Sequence, residues 1–292
     1  MSLNNKILVI GGSGSSGRKV VKHLENKNQN VLVAGRDETK FENLKFSNKV
    51  SFVKFDYNNP ETYKAAVENV DRVFLMAAPL DSLPEKSLEP FINFLKQLST
   101  IKKIIFISAI NAERYPIVKG ENLVKGSTIP YTIIRAPFFM ENLTDGFMQQ
   151  ELKGGSLSAP VGEHSTVWIS TDDIGQVVAN LFLDTNNTAY NNSTIDITGP
   201  APVNYPEIAQ LLEKYTGKTI KYNNVPPLDY SNFCLSLGMP QGSVTFLSDL
   251  FADITNDNAK TVSLKVKEIT GQEPKSFESF IKDNFSKIHY NE

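Results

Sequence analysis

The segment Ile7-Leu8-Val9-Ile10-Gly11-Gly12-Ser13-Gly14-Ser15-Ser16-Gly17 carries the clearest chemical signal in this 292-residue chain. An apolar strand runs into glycines at Gly11, Gly14 and Gly17, and an amphipathic helix follows. Gly11 permits a tight strand exit, Gly14 lets backbone approach a pyrophosphate, and Gly17 permits close helix–sheet packing. Ser13, Ser15 and Ser16 place hydroxyls in the same turn. The helix start presents N–H groups and positive dipole to an anion. The alternative is a glycine-rich strand–helix turn with no ligand.

A site preferring NAD(H) places a carboxylate at the end of the second strand, roughly 20 residues past the loop. Here the chain reads Val33-Ala34-Gly35-Arg36-Asp37, with no acid at Ala34 or Gly35. The planar fork of Arg36 suits a 2′-phosphate, and Lys40 adds charge. The expected cofactor is therefore NADP(H), with NAD(H) as the second choice. The competing reading leaves Arg36 solvated and gives Asp37 to a helix cap.

The elements that must position these groups alternate strand and helix through the first half. Strands are expected at Ile7–Ile10, Val31–Ala34, Ser51–Phe55, Arg72–Ala77, Lys103–Ser108 and Tyr131–Arg135. Helices are expected at Lys19–Glu25, Pro60–Val70, Lys86–Leu98 and Pro116–Gly126. Nearly continuous apolar strands between helices predict a parallel sheet covered on both faces. After Arg135 the rhythm breaks. Helices are expected at Glu141–Leu152, Asp173–Leu183, Pro206–Tyr215 and Phe277–Phe285, strands at Thr166–Ile169 and Ile195–Thr198, and loops with short helices across Asn223–Gly242. The expected fold is α/β: a doubly wound parallel sheet of Rossmann type over residues 1–155, with a smaller C-terminal α/β substrate lobe over 156–292 that shares strands with it.

Bulk properties narrow the classes. Hydrophobic residues at 40% and charged residues at 21% suit an ordinary globular chain. A net charge of −2 offers no basic field for direct nucleic-acid contact. Cys234 is the single cysteine, so no intramolecular disulfide forms and a reducing compartment fits. The opening residues run straight into an apolar strand, and no apolar run approaches the roughly 20 residues of a spanning helix. No membrane association and a cytoplasmic location are expected. His23, His164 and His289 are scattered without metal-ligand spacing. No G-x-S-x-G nucleophile elbow occurs.

The Gly11-x-x-Gly14-x-x-Gly17 spacing resembles the loop of atypical short-chain dehydrogenases, and within them the NmrA-like group. Ile129-Pro130-Tyr131-Thr132-Ile133-Ile134-Arg135-Ala136-Pro137-Phe138-Phe139-Met140-Glu141-Asn142 resembles the group's sixth strand and following loop. Trp168-Ile169-Ser170-Thr171-Asp172-Asp173-Ile174 resembles its strand-to-helix turn, and Glu268–Pro274 its tail. The resemblance implies an NAD(P)-binding fold. It implies an adenine contact at Asp56-Tyr57, room for the nicotinamide ribose at Ala77-Ala78-Pro79, and a nicotinamide flank at Pro137-Phe138-Phe139. Asp56-Tyr57 also reads as a helix cap before Pro60, and Ala77–Pro79 as plain packing. Phe147, Trp168 and Phe233 are candidate walls of an apolar pocket, or simply core.

Short-chain dehydrogenases use a Tyr-x-x-x-Lys pair with a Ser, the lysine lowering the tyrosine pKa. Tyr115-Pro116-Ile117-Val118-Lys119 matches that spacing, with Ser108 seven residues earlier. Pro116, however, biases Tyr115 away from helical geometry. Counting back from Ile129-Pro130-Tyr131-Thr132 puts Glu121 at the group's acidic position and the lysine near Ile117. A working pair, Lys119 alone at the ribose, and coincidence all stay open. Ser108 reads equally as a cleft hydroxyl or a buried cap. Two functions remain. One is an NADPH-dependent reductase of a small apolar carbonyl, quinone or imine. The other is a catalytically weak, redox-sensing regulator that binds NAD(P) and a protein partner. An epimerase of the extended type would want an intact Tyr/Lys pair.

Overall fold

The computed structural model describes residues 5–146, 148–184 and 188–288. The chain forms two compact units. The first comprises residues 1–79, 83–135 and 171–196, and the second residues 80–82, 136–170 and 197–292.

The first unit is built on a seven-stranded parallel sheet. In chain order its strands are β1 (Lys6–Ile10), β2 (Val31–Gly35), β3 (Val50–Lys54), β4 (Val70–Met76), β5 (Lys103–Ala109) and β6 (Tyr131–Ala136), followed by Ser193–Asp196 at the far edge. Across the sheet the order is Ser193–Asp196, β6, β5, β4, β1, β2, β3. The chain winds outward one way from β1 to β3 and the other way from β4 to β6. The reversal falls between β1 and β4, the place where ligands of such sheets bind at the strand carboxyl ends. The strands are apolar because both faces are covered: Ile7, Leu8, Val9, Val73, Phe74, Leu75, Ile104, Ile105 and Phe106 are buried.

The covering helices are α1 (Ser15–Asn26), α2 (Glu38–Glu42), α3 (Tyr63–Ala66), α4 (Pro84–Leu95) and α5 (Val118–Lys125), together with Thr171–Leu183. Val20, Val21 and Leu24 give α1 its buried stripe. Its crossing with Thr171–Leu183 is close because Gly175 lies on the α1 backbone. A Cβ there would stand 2.7 Å from the Lys19 carbonyl carbon. Lys19 and His23 of α1 both reach Asp172, at 3.0 and 3.4 Å. The Pro60–Val70 helix expected from sequence is shorter: a 3-10 turn over Pro60–Thr62 leads into α3, and Val70 already begins β4. Asn69, at φ 58°, ends the segment in the left-handed region.

The second unit holds a three-stranded sheet of Phe138–Phe139, Ser165–Ile169 and Pro202–Asn204. A parallel pair joins Ser156–Ala159 to Lys221–Asn224. Its core gathers round Trp168, whose ring meets Phe138, Tyr205 and Phe277 at 5.3–5.6 Å. Helices Tyr205–Thr216, Gln241–Thr255 and Phe277–Asn284 close over it. The Glu141–Leu152 helix expected from sequence is broken into a 3-10 turn at Met140–Leu143 and a helix at Gln149–Lys153. Gly146 folds tightly onto Asn142 between them, where a Cβ would lie 2.6 Å from the Asn142 Cα. The strand expected at Ile195–Thr198 begins two residues earlier, at Ser193. Within Asn223–Gly242 the helix Pro227–Ser236 is a full 10 residues long. Among the described residues no helix is long and apolar enough to cross a membrane.

Candidate dinucleotide site

The turn after β1 is held by contacts that only glycine permits. Gly11 sits at φ 71°, and a Cβ on it would meet the Met76 sulfur at 2.4 Å. A Cβ on Gly17 would stand 2.2 Å from the Gly11 carbonyl oxygen and 2.9 Å from the Gly12 Cα. This is the first helical turn lying directly on the strand exit. Gly14 differs: its nearest neighbour to such a Cβ is the Gly11 oxygen at 3.3 Å, and it is exposed. Two of the glycines thus serve internal packing, and the third opens backbone to the outside.

Gly14 is the N-cap of α1. No side chain caps that helix, and no acid occupies its first turn. Such a start carries unsatisfied N–H groups and positive dipole. Ser15 Oγ is buried there without a hydrogen-bond partner, leaving a hydroxyl ready to donate. The uncapped N–H groups, the exposed glycine backbone and the orphan hydroxyl fit a phosphate ester. Ser13 is half-buried and Ser16 buried in the same turn.

Arg36 follows β2 and is exposed, with no ion-pair partner among the described residues, and Lys40 lies exposed on α2. Asp37 makes no ion pair with Arg36; its carboxylate accepts the Thr39 N–H at 3.0 Å as the α2 cap. Asp56 caps its own turn by accepting the Asn58 N–H at 2.9 Å. Tyr57 donates its hydroxyl to the Met76 carbonyl at 2.8 Å, and its ring packs edge-on to Phe55 at 5.0 Å and Phe91 at 6.1 Å. Burial pushes its hydroxyl pKa well up. Tyr57 thus fastens the β3 end to the β4 end. Ala77, Ala78 and Pro79 continue from β4, with Ala78 and Pro79 exposed.

The residues read as a proton-transfer set are differently arranged. Tyr115 is extended, at φ −126° and ψ 156°, and only 4% exposed, whereas α5 begins at Val118. Pro116 enforces that conformation on its predecessor. Tyr115 and Lys119 therefore do not share a helical face. The Lys119 ammonium bonds Glu85 of α4 at 2.8 Å, with its side chain 50% exposed. Ser108 donates to Glu121 at 2.7 Å. The Glu121 side chain is fully buried, and Arg135 grips it with Nε on one oxygen and Nη2 on the other, both at 2.8 Å. Arg135 also pairs with Glu113 at 2.6 Å, and Lys125 reaches Glu121 at 3.1 Å. Burial drives the Glu121 carboxyl upward, but the bonds from Arg135, Ser108 and Lys125 outweigh it and hold the group below its ordinary range.

Sequence reasoning noted Glu121 only by position and missed its partnership with Arg135. The available signal was a lone cation at the end of the apolar run Tyr131–Ile134. Met76 was missed too, since nothing in a thioether's sequence position marks it as the floor under Gly11.

Pro137, Phe138 and Phe139 are half-buried in the second unit, where Phe138 registers with Trp168 and stacks on Phe251 at 5.8 Å. Trp168, read as a candidate pocket wall, is instead core, 1% exposed, with Nε1 donating to the Val203 carbonyl at 3.2 Å. Phe233 is 41% exposed on the Pro227–Ser236 helix. Phe147 and His289 lie outside the described residues. His23 and His164 face Asp172 and Asp257, and no cluster of metal-ligating side chains occurs among the described residues.

The chain is 42% identical to the Prestalk A differentiation protein A of Dictyostelium discoideum over 287 residues, covering 98% of this chain and 94% of that one. It is 26% identical to the NAD(P)H azoreductase of Xenophilus azovorans, covering 94% and 96%. Its fold matches the NADPH-dependent quinone oxidoreductase of Escherichia coli, whose crystal structure holds NADPH, with a TM-score of 0.80 and 18% identity over 96% of this chain and 99% of that one. Residues 3–281 match the NmrA-like family, to which this chain belongs.

Proposed function

We propose that the chain binds a nicotinamide dinucleotide, NADP(H) in preference to NAD(H), and uses it to reduce a small apolar carbonyl, quinone or imine. The observation that carries the binding reading is the uncapped start of α1, with Ser15 Oγ buried and unpartnered beside the exposed Gly14 backbone. The amides and this hydroxyl hold the pyrophosphate, while Gly11 and Gly17 keep the turn tight enough to present them. Arg36, which makes no ion pair with Asp37, pairs with the 2′-phosphate. Bound there, the cofactor supplies the hydride. The activities of the Xenophilus azovorans azoreductase and of the Escherichia coli quinone oxidoreductase that shares this fold support an electron-poor, flat acceptor.

Calorimetric titration with NADPH and NADH tests the binding, and NADPH oxidation across quinones, aldehydes and azo dyes tests the reaction. NADPH binding followed by turnover of one acceptor class is the expected result. No binding of either nucleotide at millimolar concentration overturns the whole reading.

A second reading is a redox-sensing regulator that binds NAD(P) and a protein partner. It is favoured by Tyr115 lying outside α5 and by Lys119 and Ser108 being engaged by Glu85 and Glu121. Equal affinity for oxidised and reduced cofactor, with no turnover across the panel, would select it.

A further inference from the structure

Ser108 lies next to the end of β5, and its hydroxyl has one hydrogen. That hydrogen goes to Glu121 Oε1 at 2.7 Å. The acceptor is a carboxylate that Arg135 holds with two bonds of 2.8 Å and Lys125 with a third at 3.1 Å. An ionised carboxylate has no hydrogen to return. Ser108 Oγ therefore keeps only lone pairs for any other partner. A carbonyl oxygen brought to it would meet lone pairs; an N–H or O–H would meet an acceptor fixed in place by a buried ion pair.

The strand order says which half of a dinucleotide lies nearest. Arg36 follows β2, on one side of the β1–β4 reversal, and Ser108 is the penultimate residue of β5, on the other. A dinucleotide with its pyrophosphate at the α1 start and its 2′-phosphate at Arg36 extends its nicotinamide half across the β4 and β5 ends. We infer that Ser108 is an obligate hydrogen-bond acceptor, set in that role by Glu121 and Arg135, and that it takes a donor from the nicotinamide half of the cofactor: the carboxamide N–H or a ribose hydroxyl. The inference rests on the dinucleotide reading above. It makes Ser108 a binding residue and removes it as a proton donor to a substrate oxygen.

The test is calorimetry on the full chain and its Ser108→Ala variant with two ligands, NADP+ and its 3-acetylpyridine analogue, in which a methyl ketone replaces the carboxamide. Loss of one neutral hydrogen bond weakens NADP+ binding by about 3- to 10-fold. If the donor is the carboxamide, the substitution leaves analogue affinity unchanged. If it is a ribose hydroxyl, both ligands weaken by the same factor. Either pattern supports the inference. Equal NADP+ affinity of the wild type and Ser108→Ala overturns it. Ser108→Cys, which keeps the shape and replaces a good acceptor by a weak one, gives the same readout should the alanine variant fold poorly. Failure of the wild type to bind NADP+ defeats the dinucleotide reading itself and this inference with it; normal wild-type binding with an indifferent Ser108→Ala defeats this inference alone.

Discussion

Gly14→Ala and Gly17→Ala separate what the phosphate loop does for the fold from what it does for a ligand. At Gly17 the added methyl carbon falls 2.2 Å from the Gly11 oxygen, 2.7 Å from the Gly11 carbonyl carbon and 2.9 Å from the Gly12 Cα. All three are backbone, so no rotamer change relieves the overlap. Helix α1 must lift off the strand exit, and the cost belongs at the upper end of overpacking, about 3 kcal/mol. At Gly14 the backbone sits at φ −82° and ψ 176°, which alanine adopts readily, and the nearest atom is 3.3 Å away. Stability there changes by less than about 1 kcal/mol, and reduced freedom of the unfolded chain favours the variant. The same methyl occupies the exposed space a pyrophosphate would use, so NADPH affinity falls at least about tenfold, equivalent to about 1.4 kcal/mol. Urea denaturation gives the first quantity and calorimetric titration the second. The expected result is a crossed pattern: Gly17→Ala unfolds early, and Gly14→Ala folds normally and binds poorly. A Gly14→Ala protein that binds NADPH as tightly as wild type refutes the assignment of that glycine to the ligand. A Gly17→Ala protein of full stability refutes the packing argument.

Three further outcomes follow from the geometry. Arg36→Ala weakens NADPH binding by about tenfold or more, the loss of a charge-assisted bond of about 1.5–3 kcal/mol, and leaves NADH binding unchanged; equal losses for the two nucleotides would show that Arg36 does not read the 2′-phosphate. Gly175→Ala forces apart α1 and the Thr171–Leu183 helix, because its Cβ would lie 2.7 Å from the Lys19 carbonyl carbon and 2.8 Å from its oxygen; the urea midpoint should fall by the equivalent of about 1–3 kcal/mol. Glu121→Gln leaves Arg135 half-paired in a buried position and costs about 3–5 kcal/mol at neutral pH. The folded Glu121 carboxyl is held below its ordinary value, so the wild type carries this stabilisation above the unfolded pKa of about 4.3 and loses it as pH falls through the folded value. The stability gap between wild type and Glu121→Gln should therefore narrow on acidification, and a gap constant from neutral pH to pH ~3 contradicts the buried-ion account.

The local features of the loop were legible without coordinates. An apolar strand, three glycines at fixed spacing and an amphipathic helix are local in the chain, and steric permission depends on short-range backbone geometry. The alternation of strands and helices up to Arg135, and hence the parallel sheet, is local for the same reason: hydrophobic period reports which face each segment buries. Pro116 even foretold that Tyr115 would stand outside α5, since a proline restricts its own neighbour.

What the sequence could not decide are the partnerships formed at long range. Glu121 and Arg135 are fourteen residues apart and become a buried pair only because α5 packs against β5, the strand that neighbours β6. The hydrogen of Ser108 is committed by that pair, so the direction of its hydrogen bond was undetermined until Glu121 was placed. The strand Ser193–Asp196 and the helix Thr171–Leu183 return to the first sheet across a chain segment belonging to the second unit. No local periodicity encodes such a return, because it is set by which buried surfaces match once the other elements have packed. Composition, spacing and propensity thus determined the strands β1 to β6 and the loop. Contact between distant side chains decided which of the polar groups around that loop remain free to meet a ligand.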